Sequence, residues 1–150
     1  MQKFVTDKDF WDLFPEAAIA VLSVRGLKED NLTETQKNEI KDILADANKQ
    51  AAKYVPNEPI SANDVVKVWR QAYQKFPTKK GARCSIEALL KRVLHETPVR
   101  SIVPSVDITN AISLRYAFPI GVENIDAFVG DLHVGIMKGD EPFRPIGSDC

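Results

Sequence analysis

The fold turns on residues 83–131, RCSIEALLKRVLHETPVRSIVPSVDITNAISLRYAFPIGVENIDAFVGD. Ile86, Leu89, Leu90, Val93 and Leu94 recur at three- and four-residue spacing, which gives a helix with one apolar side. Ser85 is suited to cap it, since a hydroxyl there can accept from a free amide of the first turn. Glu87 in the first turn and Lys91 and Arg92 further on match the helix dipole, and Pro98 closes the segment. Pro104 then sits where a second helix can begin, because the amide it lacks has no partner in a first turn. Val106, Ile108, Ile112, Leu114 and Tyr116 give that helix its apolar surface, and Phe118-Pro119 ends it. Asp107 and Asn110, three apart, share a face. Polar side chains in so apolar a helix need partners, so they mark a structural network or a site.

Working outward, the upstream chain reads as a short strand at Phe4-Val5 and a short helix over 8–14. Residues 17–25, AAIAVLSVR, form an apolar run ended by Gly26 and are expected to be a buried strand. Thr33 or Thr35 caps a long helix to about Tyr54, with Ile40, Ile43, Leu44, Ala47 and Ala51 as its inner stripe. Pro56 and Pro59 break it, and Ser61 caps a helix over 62–76 that turns Val65, Val68, Trp69, Ala72 and Tyr73 inward. Residues 77–81, PTKKG, are a polar link. Downstream, 132–137 alternate, 138–140 turn, and 142–146 pair back as a hairpin. The expected class is α+β: a helix-rich N-terminal half and a C-terminal half of helices plus hairpin, with an extension over 1–60 and the main domain over 61–150 forming one compact unit. The hairpin's unpaired edge would favour a homo-oligomer.

At 44% apolar and 27% charged residues, the composition is that of an ordinary globular protein. The sequence has no window of membrane-span length and no signal-peptide order, so a cytoplasmic location is expected. Cys84 and Cys150 supply neither a disulfide framework nor metal-ligand spacing. His95, near a helix end, and His133, in an alternating segment, are better explained as surface residues than as bases. Phosphate-loop, dinucleotide and nucleophile-elbow motifs are missing, which leaves a metal hydrolase or a serine esterase without support. Trp11, Trp69 and Tyr73 fit a core better than a base-stacking platform. Charge is uneven. Residues 1–64 hold 8 Lys and Arg against 12 Asp and Glu, residues 65–100 hold 9 against 2, and residues 101–150 hold 3 against 7. The basic middle, with Lys67, Arg70, Lys75, Lys79, Lys80, Arg83, Lys91 and Arg92, is either a set of solvated helix faces or a surface for a polyanion.

Residues 100–131, RSIVPSVDITNAISLRYAFPIGVENIDAFVGD, resemble the B3/B4 module, the tRNA-editing part of the phenylalanyl-tRNA synthetase beta subunit, in the order of the Arg-Ser-Ile opening, the Val-Asp-Ile-Thr-Asn core, the Pro and the Gly-bearing segment. Residues 85–93, SIEALLKRV, are similar to a helix of free-standing relatives of that module. The resemblance implies binding of tRNA or aminoacyl-tRNA and hydrolysis of a mischarged ester by positioning, without metal or cofactor. It implies that Arg100 holds a phosphate or the terminal ribose, that Pro119 shapes the pocket wall, and that Asp107 and Asn110 support it from below. Two departures stand out. The family's loop histidine gives way to Gly121-Val122-Glu123-Asn124, where Gly121 would open the pocket and Glu123 would serve as a substitute polar group, and the family's last strands and Gly-rich loop would extend past Cys150, leaving the C-terminal part incomplete. Expected catalytic residues are thus Arg100, Gly121 and Glu123, with Pro119, Asp107 and Asn110 at the substrate and Lys79, Lys80, Arg83, Lys91 and Arg92 on RNA. A non-catalytic RNA-binding module and a small-molecule pocket on the same fold stand as alternatives.

Overall fold

The computed structural model describes residues 2–139. The chain is α+β, with strand β1 (Phe4–Thr6), helices α1 (Lys8–Leu13), α2 (Glu34–Ala51), α3 (Asp64–Tyr73), α4 (Ser85–Leu94) and α5 (Pro104–Tyr116), and strand β2 (Leu132–Val134). It forms two compact units, one of Val24–Asn124 and the other of the segments on either side. A boundary at residue 60 therefore falls inside the helical unit, where α2 makes its most extensive contact with α5.

The helical unit is built around α2. Thr33 is its cap, and a capping box is complete: the Gln36 amide donates to Thr33 Oγ1 at 3.3 Å and the Thr33 amide donates to Gln36 Oε1 at 2.9 Å. Leu44, Ala47 and Ala51 are buried, whereas Ile43, expected in the inner stripe, is exposed. Its place on the inner face goes to Asn48, whose carboxamide is spent entirely on backbone. Asn48 Nδ2 donates to the Leu44 and Val99 carbonyls at 2.9 and 3.1 Å, and the Val99 amide donates to Asn48 Oδ1 at 2.8 Å. The small side chains Ala47, Ala51 and Ala111 complete a core with Val55, Val66, Cys84, Ile86, Leu90, Val99 and Leu114.

Helix α3 ends at Tyr73, short of the expected 76, and three further helix limits differ from the sequence expectation for a local reason. The third helix starts after Asn63 and not after Ser61, because Asn63 knits the preceding loop: it accepts from the Asn57 amide at 3.0 Å and donates to the Asn57 and Ile60 carbonyls, both at 2.9 Å. This start leaves Val66 buried and Val68 exposed. In α4, Ser85 is the first helical residue, and Cys84 stands at the cap with no side-chain bond to the helix. At its other end the helix is stopped before Pro98 is reached. Glu96 adopts a left-handed conformation (φ 52°), its amide donates to the Val93 carbonyl at 3.2 Å, and the Thr97 amide donates to the Arg92 carbonyl at 3.0 Å, which together make a Schellman closure. Pro104 does open α5, where Glu29 Oε1 accepts from the Ser105 amide at 2.8 Å and brings a carboxylate to the positive end of the helix dipole.

In the second unit, β1 and β2 pair in parallel, Phe4 opposite Leu132 and Thr6 opposite Val134. The Lys3 amide donates to Asp131 Oδ1 at 2.8 Å, and the Asp7 amide donates to the Val134 carbonyl at 2.8 Å. The segment expected to open a hairpin thus pairs with the N-terminal strand, and a parallel pair requires a long crossover. The expected return strand, 142–146, and Cys150 lie outside the described residues. The apolar run 17–25 is not a strand. It has no ladder partner, and Val21, Leu22 and Val24 are exposed. A run of apolar residues becomes a strand only where another strand takes its amides and carbonyls. Among the described residues, no helix is long and apolar enough to cross a membrane.

Truncating Asn48 would strand both polar groups of Val99 in the core. Asn48→Ala is expected to lower the free energy of urea unfolding by about 3 kcal/mol. A loss under about 1 kcal/mol would show that the amide does not hold the chain there.

Candidate nucleic-acid interface

Ala88, Lys91, Arg92 and His95 fall at i, i+3, i+4 and i+7, so α4 turns them out along one side while Ile86 and Leu90 point to the core. The Schellman closure reverses the chain at Glu96, and Thr97, Pro98 and Arg100 come back beside that same side. The result is an open groove of about 560 Å3 lined by Arg83, Ala88, Lys91, Arg92, His95, Thr97, Pro98 and Arg100. It has a small floor at Ala88 and cationic walls, and among the described residues no carboxylate lines it. Among the described residues, none of Arg83, Lys91, Arg92 and Arg100 is ion-paired.

Two buried polar residues fix the wall that carries Arg100. On one side Asn48 grips both backbone groups of Val99, and on the other Asp107, 2% exposed, accepts from the Ile102 amide at 2.7 Å and from the Ser101 hydroxyl. The backbone is therefore pinned at residue 99 and again at 101–102, while the Arg100 side chain points to solvent. Asp107 does what its place in an apolar helix demands, since its carboxylate is satisfied by the loop ahead of the helix. Asn110 is half-buried and makes no bond of this kind.

A second cavity of about 290 Å3 lies between α3 and the start of α4, lined by Trp69, Arg70, Tyr73, Gln74, Gly81, Ala82, Arg83, Cys84 and Glu87. In its wall Arg70 Nε and Nη2 donate to Glu87 Oε2 and Oε1 at 3.0 and 2.7 Å. Glu87 is 1% exposed and the Arg70 side chain 46%. The hydrogen bond to Glu87 raises the Arg70 pKa. Burial raises the pKa of both the Cys84 thiol and the Tyr73 phenol, which keeps both neutral at pH 7.

Of the residues singled out from sequence, Arg83, Lys91, Arg92 and Arg100 come together in the groove. Arg70 is withdrawn from the polyanion set because Glu87 already neutralises it. Lys79 and Lys80 are exposed on the 77–81 link and line neither cavity. Pro119, Gly121 and Glu123 also lie outside both. Gly121 has an ordinary φ, and a Cβ there would meet nothing within 4 Å, so the backbone does not require glycine at that position. Pro119 follows Ala117, a left-handed residue (φ 50°) that ends α5, and Phe118, whose ring meets Trp69 edge-on at 6.4 Å. His95, Thr97 and Ala88 were missed as lining residues. For Ala88 and His95 the signal was their helical spacing from Lys91 and Arg92. Among the described residues, no group of three or more His, Cys, Asp and Glu could hold a metal ion.

A family model described as the B3/4 domain matches residues 68–149, more than half of the chain. The chain belongs to the B3/4 domain family. No curated protein and no solved structure gives a significant match. The B3/4 match takes in α4, α5 and the whole of the groove, together with most of α3 and the second cavity.

Two outcomes check this geometry. Arg70→Ala leaves a buried carboxylate without its partner and is expected to cost about 3–5 kcal/mol of stability, most of it recovered when Glu87 is also replaced by Leu. Equal losses for the single and the double variant would mean that Glu87 is not buried with its charge. In a Cys150→Ser background the Cys84 thiol should react with a disulfide reagent at least about ten-fold more slowly in the folded chain than in urea, since only the thiolate attacks. The raised folded pKa means that the stability Cys84 contributes is complete below the unfolded thiol pKa of about 8.5 and is lost as pH rises above it. Thiol reactivity unchanged by folding would contradict the burial of Cys84.

Proposed function

We propose that this B3/4 domain binds RNA, with tRNA as the expected partner, by laying phosphates along the groove between α4 and the returning chain. The observation that carries this reading is the convergence of Arg83, Lys91, Arg92 and Arg100 on one concavity that no carboxylate of the described residues lines. A set of solvated basic faces would scatter its cations and pair many of them, as Lys8 with Asp12 and Lys37 with Glu34 are paired elsewhere in the chain. Arginine suits phosphate because its fork meets two oxygens at once, and release of condensed counterions supplies affinity whatever the base sequence. Arg100 stands apart from the other three, because its backbone is held rigidly and so little order has to be gained on binding.

Hydrolysis of a mischarged tRNA needs further groups beside Arg100, and Pro119, Gly121 and Glu123 line neither cavity. The function supported best is therefore binding without turnover. In a panel of mischarged tRNAs, ester loss should match the spontaneous rate, and turnover abolished by Arg100→Ala would replace this reading with the deacylase.

The binding itself is tested by its salt dependence. Removing Lys91, Arg92 and Arg100 together should flatten the plot of log K against log salt by about 3, whereas Lys79→Ala with Lys80→Ala should change it by less than about 1. An unaltered slope in the groove variant would overturn the proposal.

A further inference from the structure

We infer that the 290 Å3 cavity between α3 and α4 is a pocket for one unpaired nucleobase of the RNA whose phosphates occupy the groove. This deepens the RNA-binding reading and rests on it. Arg83 lines both cavities, so the two are adjacent within the reach of one side chain. Their chemistry differs in the way that the two parts of a nucleotide differ. The groove is cationic, with no carboxylate among the described residues to offset it, as a phosphate requires. In the second cavity the Arg70 charge is already matched by Glu87, and the Tyr73 and Cys84 groups are neutral. A phosphate or carboxylate there would face the Glu87 carboxylate and would gain little from Arg70, which is already engaged, while Arg83 is shared with the phosphates of the groove. A neutral planar ring meets no such conflict.

What the cavity offers is suited to such a ring. Trp69 and Tyr73, one helical turn apart on α3, supply aromatic surface, and both are half-buried and thus partly open. Stacking on aromatic side chains accepts any base, because every base has a π-face. The Trp69 ring is braced edge-on by Phe118 at 6.4 Å and the Tyr73 ring by Phe76 at 5.7 Å, so the aromatic wall is held in place before a ligand arrives. Gln74 and the Arg70 N–H groups that Glu87 does not use can donate to carbonyl and ring-nitrogen acceptors on a base edge. The left-handed Gly81 (φ 85°) and the bond from the Ala82 amide to the Lys79 carbonyl at 2.9 Å turn the link, and Gly81, Ala82 and Arg83 line the cavity after that turn. A duplex keeps its bases stacked and hidden, so the RNA recognised here is single-stranded where it crosses Arg83.

The experiment uses the full chain with oligouridylate, oligoadenylate and an abasic ribose-phosphate oligomer of the same length, at fixed salt. Base-bearing RNA should bind about ten-fold more tightly than the abasic chain. Ala82→Leu fills the cavity from an exposed loop position, which spares the fold, and it should abolish that difference while leaving abasic binding and the salt slope unchanged. Trp69→Phe should reduce the difference in part. Equal binding of base-bearing and abasic oligomers, with the salt slope intact, would overturn the base pocket and leave the phosphate groove standing. Absence of salt-dependent binding to any of the oligomers would overturn both. A base-dependent difference that survives Ala82→Leu would also overturn the assignment to this cavity.

Discussion

The grip of Asn48 on Val99 is the constraint on which the candidate site depends. A single side chain on α2 satisfies both backbone groups of a residue that comes 51 positions later. Val99 itself is buried in the core, where an unpaired amide or carbonyl would be costly, so the chain leaving α4 can return only along the path that this carboxamide allows. That path brings Thr97, Pro98 and Arg100 alongside the outer face of α4 and turns a row of helix cations into a groove. Asp107 holds the next step of the same path. Asn48 and Asp107 are thus structural. They act on the geometry of the groove while keeping their own polar atoms occupied.

The helical unit also shows how electrostatics sorts its cations. Arg70 and Arg115 are taken by Glu87 and Asp46. Among the described residues, the groove arginines and Lys91 have no such partners. Neutralised and unneutralised charge therefore lie on neighbouring surfaces, with Arg83 at the join. Burial of an ion pair such as Arg70–Glu87 adds little net stability compared with apolar side chains of the same volume, whereas loss of one partner is costly. The pair gives the second cavity a fixed polar wall and cancels the Arg70 charge, which leaves Arg83 as the cation that the cavity shares with the groove.

Much of this was legible in the chain itself. The α+β class, the capping box at Thr33, the N-terminal Pro104 of α5 and the family likeness over residues 83–131 all rest on local residue chemistry, which needs no distant partner. The misreadings were of the opposite kind. Residues 17–25 looked like a buried strand because they are apolar, yet among the described residues no strand pairs with them to take their hydrogen bonds. The segment 132–134 alternates and is a strand, and it pairs with β1, more than 120 residues earlier, a partner that nothing local points to. Arg70 looked like a phosphate ligand until Glu87, 17 residues on, claimed it.

By itself, then, the sequence determined which residues could be helical, which family the chain resembles and which segment carries the positive charge, while two of the helix caps moved by one or two residues. Those properties follow from spacing and side-chain type over a few residues. Only the tertiary structure decided which cations converge and which are neutralised, that a buried amide on α2 sets the position of Arg100, and that Pro119, Gly121 and Glu123 stand outside the groove. Such facts depend on contacts between residues far apart in the chain, and the closing of those contacts is governed by how buried polar groups find partners in the folded core.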